Sequence, residues 1–302
     1  MTRICSRPIT ILLMALGFSA LAGAQATRTW ISGVGDDANP CSRTAPCKTF
    51  AGAISKTASA GEIDCLDPGG FGAVTITKPI TLDCGPGVGS ILVAGTNGIL
   101  INTTGPSDAV TIRNLTLEGL ATGLSGISII AGNTVHIENV KIHDFTGFGV
   151  QVNATANVNL SMHNVTIAAD NATGGGVSVS TTLGIAIAEL RDIRVHNSQA
   201  GVQGGSNASV NISNSDLSSN VFGALVTGAS TGIDLIGCQL NYNSSAAVQS
   251  NAASSVRVMS STLHRNGIAF NPNGGNLLSD GQNTNDGNTS NGSSTGPTPA
   301  KI

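Results

Sequence analysis

The chain of 302 residues carries 14 Lys and Arg against 17 Asp and Glu, a formal net charge of −3, with 10% charged and 3% aromatic residues. Nucleic-acid binding rests on many Lys/Arg–phosphate contacts, so this balance argues against a nucleic-acid partner. Gly, Ser, Thr, Asn, Ala and Val dominate; glycine and β-branched residues are poor helix formers, so ordinary helices are disfavoured and the core must be filled by small branched side chains in thin layers.

Residues 1–26 read as an export signal. Arg3 and Arg7 give a basic start, Ile9 to Ala22 an apolar run, and Ala24-Gln25-Ala26 a small-residue cleavage site. Cleavage near Ala26 predicts a secreted or periplasmic bacterial protein. The apolar run is too short for a membrane span and no later stretch qualifies. Residues 27–62 lie between this signal and the repeat described below. In an oxidising compartment Cys41, Cys47, Cys65 and Cys84 predict two bridges, most economically Cys41–Cys47 and Cys65–Cys84, with Cys238 left over.

Residues 63–275 repeat one pattern, apolar-x-apolar-x-[Asn]-apolar-x-apolar. It is centred on Asn114, Asn139, Asn164, Asp192, Asn214, Gly237 and Ser260, at spacings of 25, 25, 28, 22, 23 and 23. Val135/Ile137/Val140/Ile142 is one copy and Leu160/Met162/Val165/Ile167 the next. A third strand follows in each copy, beginning at Gly126-Ile127, Gly149-Val150, Gly176-Val177, Gly201-Val202, Ala224-Leu225, Ala247-Val248 and Gly267-Ile268. One copy has nothing to bury its apolar face against. Stacking the copies solves this, with like residues over like at the strand spacing of about 4.8 Å. The slip at asparagine marks a tight bend, because Asn tolerates the left-handed backbone and its amide can bond to the next copy. A structural ladder of Asn114, Asn139, Asn164 and Asn214 is therefore expected. Residues 276–302, Asn/Gly/Ser-rich and nearly free of apolar side chains, read as a last-rung crossing and a disordered tail.

With the segments "TWISGVGDDANPCSRTAPCKTFAGAI" and "GEIDCLDPGGFGAVTI", this repeat resembles the secreted bacterial right-handed parallel β-helix proteins of the pectate-lyase-like superfamily. The resemblance covers Thr29 to Asn273. It implies an all-β solenoid of three strands per rung and about 8–10 rungs, with residues 27–62 as an N-terminal strand, a disulfide loop and a short helix, about Lys48 to Thr57, that caps one end. It does not fix an activity, since the fold hosts lyases, hydrolases, epimerases and non-enzymes.

The enzymes of that superfamily work on the outer face of the third strand and its flanking loops. Here the outward residues read as Ser128, Gln151, Ser178, Gln203, Val226, Gln249 and Ala269. None is a carboxylate, lysine or arginine. β-Elimination needs a strong base, usually beside calcium held by several acids, and this face offers neither. Its amides, Gln151, Asn153, Gln203, Gln249 and Asn251, suit hydrogen bonds to sugar hydroxyls. The expected function is a non-catalytic binder of polysaccharide or cell-surface glycan, or an extracellular scaffold, without cofactor or metal. The alternative is a polysaccharide lyase or glycoside hydrolase on acidic polysaccharide, with calcium entering only under the lyase version. Its candidates are Glu118, Asp144 and Asp170 at the starts of loops on three successive rungs, with His143 beside the middle one. Acids are also favoured in turns for their own hydrogen bonding.

Overall fold

The computed structural model describes residues 25–169, 174–251 and 253–296; the export signal lies outside them, apart from its cleavage site at Gln25 and Ala26. Every pairing between its strands is parallel, in sheets of eleven, ten, six and two strands. The eleven-stranded sheet, here sheet I, runs from Ala26–Ile31 to Asn276–Ser279. The six-stranded sheet II runs from Gly69–Gly70 to Arg194–His196, and single bridges through Asp216 and Gln239 continue it to the pair Thr262–His264 and Thr284–Asp286. Sheet III, of ten strands, runs from Val74–Ile76 to Ser290–Gly292. Each rung visits the sheets in turn, so the chain is an all-β parallel solenoid.

The registers place like over like. In sheet I, Val110, Val135, Leu160, Ala188, Val210, Ile233 and Val256 form one column. In sheet II, Leu117, Ile142, Ile167 and Val195 form another. These side chains are 3% exposed or less and interdigitate as a single core. No rung can bury its apolar face alone, so hydrophobic burial acts between rungs.

The bend from sheet I to sheet II is a single residue in the left-handed region. It is Asn114, Asn139, Asn164, Asp192, Asn214, Gly237 or Ser260, at φ between 49° and 63°. Asn139 Nδ2 donates to Asn114 Oδ1 at 3.3 Å and Asn164 Nδ2 to Asn139 Oδ1 at 2.8 Å, while Asn114 Nδ2 donates to Asp83 Oδ1 at 2.8 Å. Asp192 interrupts the run, because a carboxylate has no proton to donate; it faces His163 Nε2 at 3.1 Å instead. Asn214 therefore shares the bend conformation but stands apart from the bonded run.

At the N-terminal end the helix is Phe50–Ile54, shorter than the 48–57 expected. Thr49 caps it, accepting from Gly52 N–H at 2.9 Å, and Thr57 already opens the next strand. That strand, Thr57–Cys65, runs through the boundary placed at 62/63, so the solenoid begins with Ala26–Ile31 itself. The disulfides are Cys41–Cys47 and Cys65–Cys84. Cys238 is a buried free thiol, 1% exposed, and burial pushes its pKa up.

From 276 onward the chain departs from the tail that its composition suggested. Three strands, Asn276–Ser279, Thr284–Asp286 and Ser290–Gly292, form a further turn. Amides replace apolar burial there. Asn283 Nδ2 donates to Val258 O at 2.9 Å and Asn288 Nδ2 to Leu263 O at 2.9 Å, which ties the turn to the rung before it.

Candidate functional site

Sheet III presents one outward column along its length: Leu100, Ser128, Gln151, Ser178, Gln203, Leu225, Gln249 and Asn271. Val226 and Ala269, expected here, are fully buried and off this column: Val226 shares the register of Gly204 and Ser250, and Ala269 precedes Phe270, which pairs with Val248. In those rungs the pairs Gly223-Ala224 and Ala269-Phe270 take the register of Gly201-Val202 and Ala247-Val248, one residue before and two after the positions that apolar pattern suggests. The column contains no ionisable group. Ser128, Ser178 and Leu225 are nearly buried, at 6 to 8% exposure, so the half-buried glutamines between them provide the polar relief.

Their amides differ in how far they are already engaged. Gln249 Oε1 accepts from Asn271 Nδ2 at 2.8 Å, and Gln249 Nε2 donates to Asn251 Oδ1 at 3.2 Å. Asn251 Oδ1 also accepts from Asn273 Nδ2 at 3.0 Å. Gln151 Oε1 accepts from the Ser125 hydroxyl at 3.3 Å. The Gln203 amide and the exposed Asn153 amide make no hydrogen bond to another described residue, so their donors and acceptors face solvent.

The acidic candidates lie on the rim between sheets II and III. Glu118 pairs in register with His143, not with Asp144, and the column continues through Ala168 to His196. Asp144 is the next residue, in a left-handed bend at φ 56°. Glu118 and His143 each stand four residues past their bend asparagine, Asn114 and Asn139, and the chain then holds three more residues after Glu118 than after His143 before pairing resumes. Leu120 and Ala121 both take positive φ, 51° and 56°, and pairing resumes only at Gly123 opposite Phe145. Glu118 Oε1 accepts from Leu120 N–H at 3.3 Å. Burial, then the neighbouring Asp144 carboxylate, holds the Glu118 carboxyl above its usual range; the Leu120 N–H and His143 pull the other way. Asp170 lies outside the described residues.

Among the described residues no three His, Cys, Asp or Glu side chains converge as a metal site. Glu118 and Asp144 supply two carboxylates toward the oxygen-rich shell that calcium takes. No described helix is long and apolar enough to cross a membrane.

The pattern of the sequence also hides a second asparagine ladder. Asn220, Asn243 and Asn266, which composition alone assigns to turns, are 0 to 4% exposed. Ser198 N–H donates to Asn220 Oδ1 at 3.0 Å, Asn220 N–H to Asn243 Oδ1 at 3.0 Å, Asn243 N–H to Asn266 Oδ1 at 2.9 Å, and Asn266 N–H to Asn288 Oδ1 at 2.7 Å. Their spacing of 23, 23 and 22 residues was the available signal.

The outward charges of sheets I and II pair across rungs. Arg257 makes a two-pronged contact with Asp234 at 2.7 and 2.6 Å, Arg113 meets Asp83 at 3.1 Å, and Arg194 lies 3.9 Å from Asp216. Such exposed pairs contribute about 0.2–1 kcal/mol each and fix register.

No protein-family model matches the sequence, and no curated protein matches it. Solved structures do match the fold. A pectate lyase, Pel9A, superposes with a TM-score of 0.58 at 16% identity, over 85% of this chain and 75% of that one. A rhamnogalacturonan lyase superposes with a TM-score of 0.51 at 14% identity, over 83% of this chain and 75% of that one. With three parallel sheets around one stacked core, the chain has the pectate-lyase-like parallel β-helix fold.

Proposed function

We propose that the protein binds a polysaccharide along the outer face of sheet III and does not cleave it. The observation that carries this reading is the column from Leu100 to Asn271, polar through amides and hydroxyls and without an ionisable group. Amides donate and accept at once and so suit sugar hydroxyls, whereas elimination or hydrolysis needs groups that exchange protons. The two solved structures named above are polysaccharide lyases by name, which supports a polysaccharide as the partner. Two disulfides and no described membrane-spanning helix fit an extracellular or periplasmic setting.

A second reading has one observation behind it. A carboxyl whose pKa is raised by burial beside a second carboxylate is the pairing that glycoside hydrolysis employs, and Glu118 with Asp144 resembles it. Incubation with a panel of polysaccharides, with and without calcium, separates the two. Retention of the protein on a polysaccharide, without unsaturated products or new reducing ends, supports binding. Release of either product replaces it with catalysis. Gln203→Ala is expected to weaken retention by about three- to tenfold, the loss of one to two hydrogen bonds.

A further inference from the structure

The chain's only tryptophan stands on sheet I, not on sheet III. Trp30 is half-buried on the outer side of sheet I, in register with Asp64, which is in register with Asp83 on the next strand. Together with Arg28, Arg43 and the Cys65–Cys84 bridge they line a recess of about 470 Å³. Both disulfides bear on it. The backbone N–H of Trp30 donates to Cys41 O at 2.9 Å and its carbonyl accepts from Cys47 N–H at 3.0 Å. The Cys41–Cys47 loop therefore clamps the tryptophan and carries Arg43 beside it. A pocket whose walls are cross-linked loses little freedom when it is filled.

The charges in and around the recess cancel. Arg28 pairs with Glu62 at 3.1 Å and with Asp64, and its guanidinium stands 5.8 Å from the Trp30 ring centroid. Asp83 pairs with Arg113 at 3.1 Å and accepts from Asn114 Nδ2 at 2.8 Å. The exposed Arg43 has no ion pair or side-chain hydrogen bond to the described residues. Glu62, Asp64 and Asp83 thus balance Arg28, Arg43 and Arg113. Nothing there attracts a polyanion, yet an indole surface, carboxylate acceptors and a free guanidinium donor face one small volume.

We propose that this recess binds one uncharged pyranose unit of a glycan, its C–H face packed on the Trp30 indole and its hydroxyls bonded to Asp64 and Arg43. An aromatic plane matches the apolar face of a pyranose, and charged side chains make the stronger hydrogen bonds to hydroxyls. This site stands apart from sheet III and does not depend on the reading given for it.

Because Trp30 is the single tryptophan, its emission reports on this recess directly. The full chain is titrated with cello-, xylo-, manno- and chito-hexaose and with an oligogalacturonide. A saturable change in Trp30 emission is expected with at least one neutral oligosaccharide, weakened fivefold or more in Arg43→Ala, an exposed change that leaves the melting temperature in place. Trp30→Ala, checked for folding by circular dichroism, is expected to abolish the calorimetric heat of the same ligand. Gln203→Ala is expected to leave the emission titration unchanged, which keeps this site distinguishable from sheet III. A flat titration with every neutral ligand, a response to the oligogalacturonide alone, or an unaltered response in Arg43→Ala overturns the proposal.

Discussion

The Glu118 carboxyl makes the stability of the protein depend on pH. Burial and the Asp144 carboxylate raise its pKa in the folded state. Ionising it therefore costs the fold something above its raised pKa and nothing below the ordinary glutamate value. Glu118→Gln is expected to stabilise the protein at neutral pH by about 0.5 kcal/mol, small because the site is partly solvated. The gain should vanish as pH falls below that of an ordinary carboxylate; urea melts at pH 7 and pH 3.5 measure both. The left-handed bends provide a second test. Asn139 sits at φ 55°, and Asn139→Ala is expected to lose about 1–2 kcal/mol from backbone strain. Asn139→Gly should lose less, because glycine accepts that φ without strain and forfeits only the amide bonds to Asn114 and Asn164. These bends were legible in the sequence, since each is a one-residue slip between clean alternations. The position of Asp144 was not. Charge pattern aligned it with Glu118, whereas the 25-residue spacing from Asn114 to Asn139 also sets Glu118 opposite His143, and the three residues added after Glu118 leave Asp144 without a counterpart in register.

Within the loops and strands, the buried ladder of Asn220, Asn243 and Asn266 replaces what apolar packing does elsewhere. Asn243 is fully buried, accepts from Asn220 N–H at 3.0 Å and donates to Asn266 Oδ1 at 3.0 Å. Asn243→Ala strands a buried N–H and is expected to cost about 1–3 kcal/mol, more than the exposed Asn139→Gly change, in denaturant melts of the two variants. Spacing gave no warning of this burial, because an asparagine column at a bend reads the same whether it faces solvent or core. Sheet III was hard to register for a related reason. Gly223-Ala224-Leu225-Val226 is apolar on both sides, as strands buried on two faces are. Alternation then cannot tell inward from outward, and only pairing to Gly201 and Ala247 in neighbouring rungs fixes it. Sheets I and II, with charged outer faces, had no such ambiguity.

Across the whole molecule, stability is close to a sum over neighbouring rungs, so the rungs need not open together. Central rungs place several aliphatic side chains in the core, as with Val135, Ile137, Val140 and Ile142. The N-terminal rungs are cross-linked twice. In the turn from 276 to 292 only Leu277 is a buried hydrophobic residue; the rest of its attachment is polar, through Asn283 and Asn288. A buried aliphatic side chain contributes about 1.5–3 kcal/mol, whereas a hydrogen bond nets about 1 kcal/mol against water. Opening should therefore begin at this turn and advance toward the centre, because each rung released exposes the face of the next. Native-state amide exchange is expected to show the lowest opening free energies in Thr284–Asp286 and Ser290–Gly292, rising through Thr262–His264 to a plateau over Thr134–Glu138 and Val158–His163. Reducing the disulfides should lower protection around Ala26–Ile31 and leave the gradient at 284–292 in place. Equal opening free energies in all these strands would mean that the solenoid unfolds as one unit, and that coupling between rungs outweighs the difference in what each rung buries.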